Sequence, residues 1–429
     1  MTSPVWHPFT QHGLNEPIPQ VVRAEGALLH LADGSMLIDA ISSWWVTTHG
    51  HCHPRIAAAI AAQAGQLDQL IFAGYTHARA EEVARGLIDL APHAPDQPSL
   101  AHVFYSDSGS TAVEVALKMA LGYWHNRALD GLGGARSRIL VLDHSYHGDT
   151  IGTMSIGERG VYNAAWTPLL FDVGTIPFPA PGQEQACLDA LDAACREKPA
   201  AFIVEPLILG AGGMLVYSPA ILHEMAAICR RHDVLFIADE VMTGWGRTGT
   251  LFACEQAGVV PDIMAVAKGI TGGAIPLAAT LATAPIFEAH RSTDRARLFY
   301  HSSSYTANAI ACAAAAANLA VWREEDVLSR IAALADGIAT RLAELAQHSA
   351  FANPRQLGAI AAIDLIAPDA GYLSDLAPRL RAFFLERGIL LRPLGNSIYL
   401  MPPYCLDEIQ LDHIFAALIA AGDRFGVKA

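Results

Sequence analysis

Short apolar segments alternate with longer amphipathic stretches through the middle of the chain. Five runs of mainly hydrophobic residues have the length of buried strands: residues 102–105, 138–142, 201–205, 234–238 and 263–267. Stretches with helical spacing separate them, from about residue 55 to residue 310. Strands that alternate with helices predict an α/β fold with a mainly parallel central sheet and helices on both of its faces.

The two ends of the chain follow another pattern. Short strands are predicted near the N-terminus, at 27–31 and 36–40, and near the C-terminus, at 359–365, 388–392 and 398–401. An amphipathic helix is predicted from apolar residues three or four positions apart: Val327, Ile331, Leu334, Ile338, Leu342 and Leu345. We therefore expect a small α+β domain made from both chain ends. Residues 1–54 would be its N-terminal part, 55–325 the large domain and 326–429 the C-terminal part.

The composition narrows the expected partners and location. The 429 residues are 52% hydrophobic, which is enough for a large core, and the formal net charge is -14. An acidic chain without a basic patch is not expected to bind nucleic acid or an anionic membrane. The N-terminus lacks the pattern of a secretory signal, and the scattered cysteines favour the reduced environment of the cytoplasm.

Two ionisable residues stand at the carboxyl ends of predicted strands. Asp239 follows the run 234–238, and Lys268 follows the run 263–267. Open α/β sheets place their ligands at this edge. A lysine there can hold the aldehyde of pyridoxal 5'-phosphate (PLP) as a Schiff base, and an acid can keep the pyridine nitrogen protonated. The same two residues could instead form a strand-end salt bridge.

A second group of residues suits the rest of such a cofactor. Gly109 and Ser110 open a predicted helix, where free N–H groups and a hydroxyl bind anions such as phosphate. A serine there is also an ordinary helix cap. Tyr146 follows the strand 138–142, where an aromatic ring can stack on a flat heterocycle.

A histidine-rich string, His49-Gly50-His51-Cys52-His53, has the residue types of a metal site. Pro54 follows it immediately and predicts a helix start. Zinc would also need a second group of ligands elsewhere in the chain. The sequence therefore predicts no metal.

Three further features suit a substrate site and a structural role about equally. Arg392 follows an apolar run and can bind either a substrate carboxylate or a structural one. Trp44 and Trp45, on a segment expected to be extended, would point in opposite directions, so that one of them faces a cavity. A hydroxyl cluster precedes a long alanine-rich helix, which it could cap, or it could complete a phosphate site: Ser302, Ser303 and Ser304.

Several strings together resemble the class III, fold-type-I PLP-dependent aminotransferases, and the resemblance runs from Trp6 to Tyr404. The strings are Ile237-Ala238-Asp239-Glu240-Val241, Gly244-Trp245-Gly246-Arg247-Thr248-Gly249 and Ala267-Lys268-Gly269. The resemblance implies that Lys268 forms the Schiff base, that Asp239 contacts the pyridine nitrogen and that Tyr146 stacks near the ring and borders the substrate. It also implies roles for three more residues, two on the phosphate and one on the opposite ring face: Gly109, Ser110 and Val241.

The same resemblance implies a homodimer with shared active sites. In it, Ser302, Ser303 and Ser304 of one subunit would complete the phosphate site of the other, with Ser302 near the substrate. Trp44 would line the substrate channel, and Arg392 would bind the far carboxylate of the substrate.

Three strings narrow the resemblance within the family: residues 6–11, 42–45 and 392–404. They resemble members that convert 8-amino-7-oxononanoate to 7,8-diaminononanoate in biotin biosynthesis, with S-adenosylmethionine as the amino donor. Phe9, next to both substrates, stands where that pattern has a tyrosine, and Ser302-Ser303-Ser304 replaces Gly-Pro-Thr. Lysine is an alternative amino donor. Two other functions also remain as alternatives: a class III aminomutase or decarboxylase, and a binding protein with a degenerate site.

Overall fold

The computed structural model describes residues 3–368 and 371–427. The strands are β1 (Val21–Glu25), β2 (Leu28–Leu31), β3 (Met36–Asp39), β4 (Leu100–Ser106), β5 (Ile139–Leu142), β6 (Gly174–Ile176), β7 (Ala201–Val204), β8 (Ile208–Leu209), β9 (Leu215–Val216), β10 (Leu235–Asp239), β11 (Ile263–Val266), β12 (Ala278–Thr283), β13 (Phe351–Leu357), β14 (Ile360–Leu365), β15 (Ile389–Leu390) and β16 (Ser397–Leu400). The helices are α1 (Ser42–Trp45), α2 (Pro54–Ala64), α3 (Ala78–Leu90), α4 (Gly109–Leu129), α5 (Ile151–Ser155), α6 (Glu184–Cys195), α7 (Pro219–Arg231), α8 (Ala284–His290), α9 (Ala309–Glu324), α10 (Val327–Leu345), α11 (Leu376–Leu385) and α12 (Glu408–Phe425).

The central sheet has the strand order β4-β12-β11-β10-β7-β5-β6. The five strands from β11 to β6 are parallel to their neighbours, whereas β12 is antiparallel to both β11 and β4. The predicted mainly parallel sheet is confirmed, and all five predicted strands are present. Two strands of this sheet, β6 and β12, were not predicted, because β6 is only three residues long and β12 consists mainly of small residues rather than a large apolar run.

Both faces of this sheet are covered by helices, as the sequence predicts. Alternate residues along β10 enter different cores: Phe236 and Ala238 pack with residues of α3, α6, α7 and α9, while Leu235 and Ile237 pack with residues of α4 and α8. This alternation follows from the two-residue period of a strand. Within the described residues, no helix combines the length and apolar character needed to cross a membrane.

The two chain ends meet in smaller sheets, as predicted for the small α+β domain. β15 pairs in parallel with β3, which completes a sheet with the order β1-β2-β3-β15. β13, β14 and β16 form a second, antiparallel sheet, against which α10 packs. All six apolar positions predicted for α10 are buried. The strand predicted at 388–392 is shorter than expected, β1 and the polar β13 were not predicted, and the domain boundaries at 54 and 325 remain predictions.

The direction of the strands decides where the chemistry lies. β4, β5, β7, β10 and β11 all run the same way, so their carboxyl ends reach one edge of the central sheet. Ser108–Ser110, Tyr146, Glu205 and Lys268 follow four of these strands, and Asp239 is the last residue of β10. Parallel α/β sheets bind their ligands at this edge.

Candidate active site

A cavity of about 620 Å³ opens at the carboxyl edge of the central sheet. Most of the predicted site residues line it: Phe9, Trp44, Gly109, Ser110, Tyr146, Asp239, Val241, Lys268 and Arg392. Other lining residues were not singled out as site residues from the sequence, among them Trp45, Ser108, His147, Tyr162, Glu205 and Tyr372. The structure therefore brings residues from both chain ends and from five strand ends to one cavity.

Lys268 lies just after β11 in an unusual backbone conformation, with φ 47°. A positive φ is uncommon for a residue with a side chain, and such strain is often found at functional sites. The lysine ammonium lies 5.0 Å from the centre of the Trp45 ring. Burial lowers the pKa of Lys268 to about 8, although the negative charges of Asp239 and Glu205 oppose this shift. The amine therefore exchanges its proton much closer to neutral pH than a surface lysine does.

Asp239 is the last residue of β10, and its carboxylate is held from two sides. One oxygen accepts a hydrogen bond from the Val241 backbone N–H at 3.1 Å, and the other lies 2.7 Å from Nδ1 of the buried His147. Nε2 of His147 is buried and has no hydrogen-bond partner among the described residues. The carboxylate is thus fixed in the cavity wall. The sequence could not show that His147, which follows Tyr146 in the chain, faces Asp239.

Glu205 is a third buried carboxyl group that lines the cavity. Its two oxygens accept hydrogen bonds from the backbone N–H groups of Tyr146 and Gly210, each at 3.0 Å. Burial is the main cause that raises the pKa of Glu205 to about 7, with His147 acting in the opposite direction and Asp239 in the same direction as burial. The sequence carried a signal for this residue, because Glu205 follows a buried strand just as Asp239 does.

The start of α4 forms a closely packed part of the cavity wall. Ser108 caps the helix in a reciprocal arrangement with Thr111. A Cβ atom at Gly109 would come within 2.6 Å of Val241 Cγ1, so only glycine fits there. Gly148 similarly lies against Ser110, since a Cβ atom would meet the Ser110 hydroxyl oxygen at 2.1 Å. Ser108 rather than Ser110 is the cap, which leaves the Ser110 hydroxyl in the cavity wall.

Aromatic rings and one cation form the outer part of the cavity. The Arg392 guanidinium lies 5.7 Å from the centre of the Phe9 ring and 5.3 Å from that of Trp44. It donates one hydrogen bond of 3.1 Å to the Phe9 carbonyl oxygen. Phe9 and Trp44 are both about half exposed, so this part of the cavity faces solvent.

The prediction that Trp44 and Trp45 lie on an extended segment was wrong. Ser42–Trp45 is an irregular helical turn, held by the Asp39 carboxylate, which accepts hydrogen bonds from the backbone N–H groups of Ile41 and Ser43. Both tryptophans line the cavity, with Trp45 buried near Lys268 and Trp44 near the opening.

Ser302, Ser303 and Ser304 do not line the cavity of their own chain. Ser302 and Ser304 are exposed, while the Ser303 hydroxyl donates a hydrogen bond to Asp107, which does line it. The cluster does not cap α9, because the side chain of Asn308 accepts the hydrogen bond from the Ala311 N–H instead. Their predicted role in a partner subunit remains a prediction.

The histidine-rich string has structural contacts. His49 is buried and bonds to Asn318, and His51 bonds to Asp39. Among residues 3–368 and 371–427, no group of three His, Cys, Asp or Glu side chains could hold a metal ion. Pro54 begins α2, as the sequence predicts.

The residues of the cavity fit PLP. A phosphate needs N–H and hydroxyl donors, which the start of α4 and the Ser110 side chain offer in the cavity wall. A pyridinium nitrogen needs a fixed carboxylate, which Asp239 provides. An aldehyde needs a lysine that loses its proton near neutral pH, which matches Lys268.

Comparison with known proteins agrees with this geometry. The family model Aminotransferase class-III matches residues 10–421. An adenosylmethionine-8-amino-7-oxononanoate aminotransferase from Synechococcus elongatus is 47% identical over 96% of this chain and 97% of its own length. One of the same name from Nitratidesulfovibrio vulgaris is 39% identical over 95% of this chain and 78% of its own length.

Solved structures give the same result. The crystal structure of an enzyme of that name from Methanocaldococcus jannaschii has a TM-score of 0.92 and 31% identity, and the match covers 99% of this chain and 98% of the other. An amine transaminase from an uncultivated Pseudomonas species, in its PLP-bound form, has a TM-score of 0.90 and 31% identity over 99% of this chain and all of the other. This chain therefore belongs to the class III aminotransferase family and has the fold of its PLP-dependent transaminases.

Proposed function

We propose that this chain transfers an amino group to 8-amino-7-oxononanoate and so makes 7,8-diaminononanoate for biotin biosynthesis, with PLP as cofactor and S-adenosylmethionine as the amino donor. Relatives that match nearly the whole chain carry the corresponding name. The observation that carries the proposal is the arrangement of one cavity, with Lys268 in its buried part and Arg392 among aromatic rings in its exposed part.

The cofactor would be held by three sets of groups. Gly109 and Ser110 would bind its phosphate, Asp239 its ring nitrogen, and Tyr146 and Val241 would enclose its ring. When bound, PLP supplies a reactive aldehyde and an electron-withdrawing ring. The role of Asp239 requires a fixed carboxylate, and the hydrogen bond from Val241 and the contact with His147 hold it in place.

Lys268 would move protons during the reaction. As a free amine beside the substrate, it would take a proton from one carbon and deliver it to another. A pKa near the working pH suits a group that must act as both base and acid, and burial brings the pKa of Lys268 to about 8. Tyr146 would border the reacting atoms. Its phenol donates a hydrogen bond of 2.9 Å to Asp149.

The keto substrate explains the outer part of the cavity. An 8-amino-7-oxononanoate molecule carries its carboxylate at the far end of an aliphatic chain from the reacting carbonyl. A site for it needs apolar walls and a cation away from the lysine. Phe9 and Trp44 supply such walls, and Arg392 supplies a planar fork that suits a carboxylate.

The amino donor is the least constrained part of the proposal. Phe9 has no hydroxyl, so the cavity offers an aromatic face for a stacked ring at this position but no hydrogen bond from the side chain. A smaller donor such as lysine is therefore the second candidate.

We also propose that the protein acts as a homodimer and that Ser302, Ser303 and Ser304 reach the phosphate site of the partner subunit. The exposure of Ser302 and Ser304, and their position outside the cavity of their own chain, support this assignment. Ser304 would supply a hydroxyl donor to the phosphate.

A donor screen tests the function. Purified protein loaded with PLP is incubated with 8-amino-7-oxononanoate and, in separate reactions, S-adenosylmethionine, lysine, alanine or another amine. The expected result is formation of 7,8-diaminononanoate, fastest with S-adenosylmethionine. Product formed only with lysine would change the donor, and no product with any donor would refute the proposed acceptor.

A further inference from the structure

Two tyrosines extend the aromatic wall around Arg392. The ring of Tyr162 meets that of Phe9 edge-on, with centres 6.5 Å apart, and lies 4.6 Å from the ring of Tyr372. Tyr162 comes from the loop after α5, and Tyr372 from the segment between β14 and α11. Both line the same cavity as Arg392. Together with Phe9 and Trp44 they form a continuous row of rings at the exposed part of the cavity.

Arg392 alone does not satisfy a carboxylate. A carboxylate has two oxygens with about four acceptor positions, and one guanidinium fork fills two of them. Arg392 also gives one N–H to the Phe9 carbonyl oxygen. No Asp or Glu carboxylate within residues 3–368 and 371–427 pairs with it. A bound carboxylate would therefore have acceptor positions left for further donors.

We propose that the phenol groups of Tyr162 and Tyr372 are additional donors to the substrate carboxylate that Arg392 binds, so that the two tyrosines help to select acids over neutral substrates. This inference rests on the proposed function, since it takes Arg392 as the carboxylate-binding residue. The row of rings supports it, because the Tyr162 ring packs edge-on against Phe9, and the guanidinium lies 5.7 Å from the centre of the Phe9 ring. Phe9 itself has no hydroxyl to offer.

The Tyr162 phenol is in the protonated form that a hydrogen-bond donor needs. Burial raises the pKa of Tyr162 well above its usual value, and the neighbouring Tyr372 phenol raises it further, while Arg392 acts in the opposite direction. The Tyr162 phenol therefore keeps its proton across the working pH range and can donate a hydrogen bond to an anion.

The test compares 8-amino-7-oxononanoate with its carboxamide, which has the same length and no charge. Tyr162→Phe keeps the ring and removes only the hydroxyl. It should lower kcat/KM for the acid about tenfold, the usual effect of losing a hydrogen bond to a charged group, and leave kcat/KM for the carboxamide nearly unchanged. Tyr372→Phe should act in the same direction with a smaller loss. The matched control is Tyr123→Phe, because Tyr123 packs against Trp124 within α4 and does not line the cavity.

A double variant separates binding from packing. Arg392→Ala should lower kcat/KM for the acid, and adding Tyr162→Phe to it should cost much less than in the wild type, because the carboxylate is no longer held beside the phenol. An equal loss with the acid and the carboxamide would mean that Tyr162 only shapes the cavity, and would overturn the proposal, as would no loss with either. If the wild type failed to aminate the acid at all, the proposed function would fail instead, which is a distinct result.

Discussion

Four ionisable side chains lie together in the buried part of the cavity. Lys268 lies in the field of Asp239 and Glu205, and Asp239 is in turn paired with His147. Burial moves the pKa of Lys268 down and that of Glu205 up, to about 8 and about 7. Both groups therefore change charge near neutral pH, which is typical of groups that transfer protons in catalysis.

Replacing Lys268 with alanine removes the only group in the cavity that we assign to the cofactor aldehyde. We expect Lys268→Ala to lose the visible absorption band of the PLP-loaded protein and to lose turnover. Lys198→Ala is the control, because Lys198 is exposed and its ammonium donates a hydrogen bond to the His232 carbonyl oxygen, away from the cavity. A Lys268→Ala protein that kept both the band and turnover would refute the assignment.

The charge of Asp239 should be visible in the titration of Lys268. A negative charge stabilises the ammonium, so removing it lowers the pKa of the lysine. In cofactor-free protein, the rate at which added PLP forms the visible band should rise with pH and reach half its maximum near pH 8, the pKa of Lys268. Asp239→Asn should shift this midpoint to lower pH, while Asp33→Asn, in an exposed turn, should not. A midpoint that moved up would contradict the arrangement of charges.

These side chains are positioned by the ends of neighbouring strands and by the start of one helix. Asp239 and Lys268 belong to neighbouring parallel strands, β10 and β11, and the start of α4 follows β4 at the same edge. α4 also packs across β11 and β12. Because α4 packs on the same sheet that carries Lys268, the start of the helix is held at a fixed position relative to the lysine.

The contact between Gly109 and Val241 allows the packing at the start of α4 to be tested. Gly109→Ala places a methyl group 2.6 Å from Val241 Cγ1 and should push the valine toward the ring site. We expect the dissociation constant for PLP, followed by protein fluorescence, to rise about tenfold or more, a typical result of overpacking by one methyl group. Gly134→Ala is the matched control, because nothing lies within 4 Å of its added Cβ atom. Unchanged PLP affinity would place the cofactor away from α4.

The site residues that could be predicted from the sequence are those that stand at or just after the end of a strand. Asp239, Lys268 and Tyr146 follow strong apolar runs, so their meeting at one edge followed from the fold class. His147 and Tyr372 could not be assigned, because their contacts depend on loop conformations that no periodicity encodes. Trp44 and Trp45 were misjudged for the same reason, since the Asp39 carboxylate bends their backbone. β12 was missed because its small residues give no apolar signal.

Several hydrogen bonds connect the two chain ends to the part of the chain that forms the central sheet. The Arg247 guanidinium is fully buried and donates to the carbonyl oxygens of Trp45, Thr47 and Pro402. It therefore holds the segment before α2 against the segment after β16. Because Trp45 lies beside Lys268, the packing of the chain ends also shapes the active site.

The proposed dimer can be tested by its mass and by mixing variants. The solution mass should be twice the chain mass of 45.7 kDa. Ser304→Asp places a negative charge where we expect the partner's phosphate, so this variant and Lys268→Ala should each be inactive alone. Co-expressed chains should regain about a quarter of wild-type activity, because half of the dimers are mixed and each mixed dimer has one intact site.

The controls for this experiment are co-expression of each variant with itself. If Ser304 served its own chain, no mixed dimer would contain an intact site and activity would stay absent. A monomeric mass with full activity would refute the shared site altogether.

The pairing of β3 with β15 has a consequence for synthesis of the chain on the ribosome. Ile38 pairs with Ile389, so 351 residues (389 − 38) must be made before the small sheet can close. At about 5–20 residues per second, that interval lasts roughly 20–70 seconds. During it, the N-terminal hairpin presents an open strand edge to other nascent chains, which is a known route to aggregation. Production of this protein should therefore be more sensitive to translation speed and chaperone supply than to the stability of its central sheet.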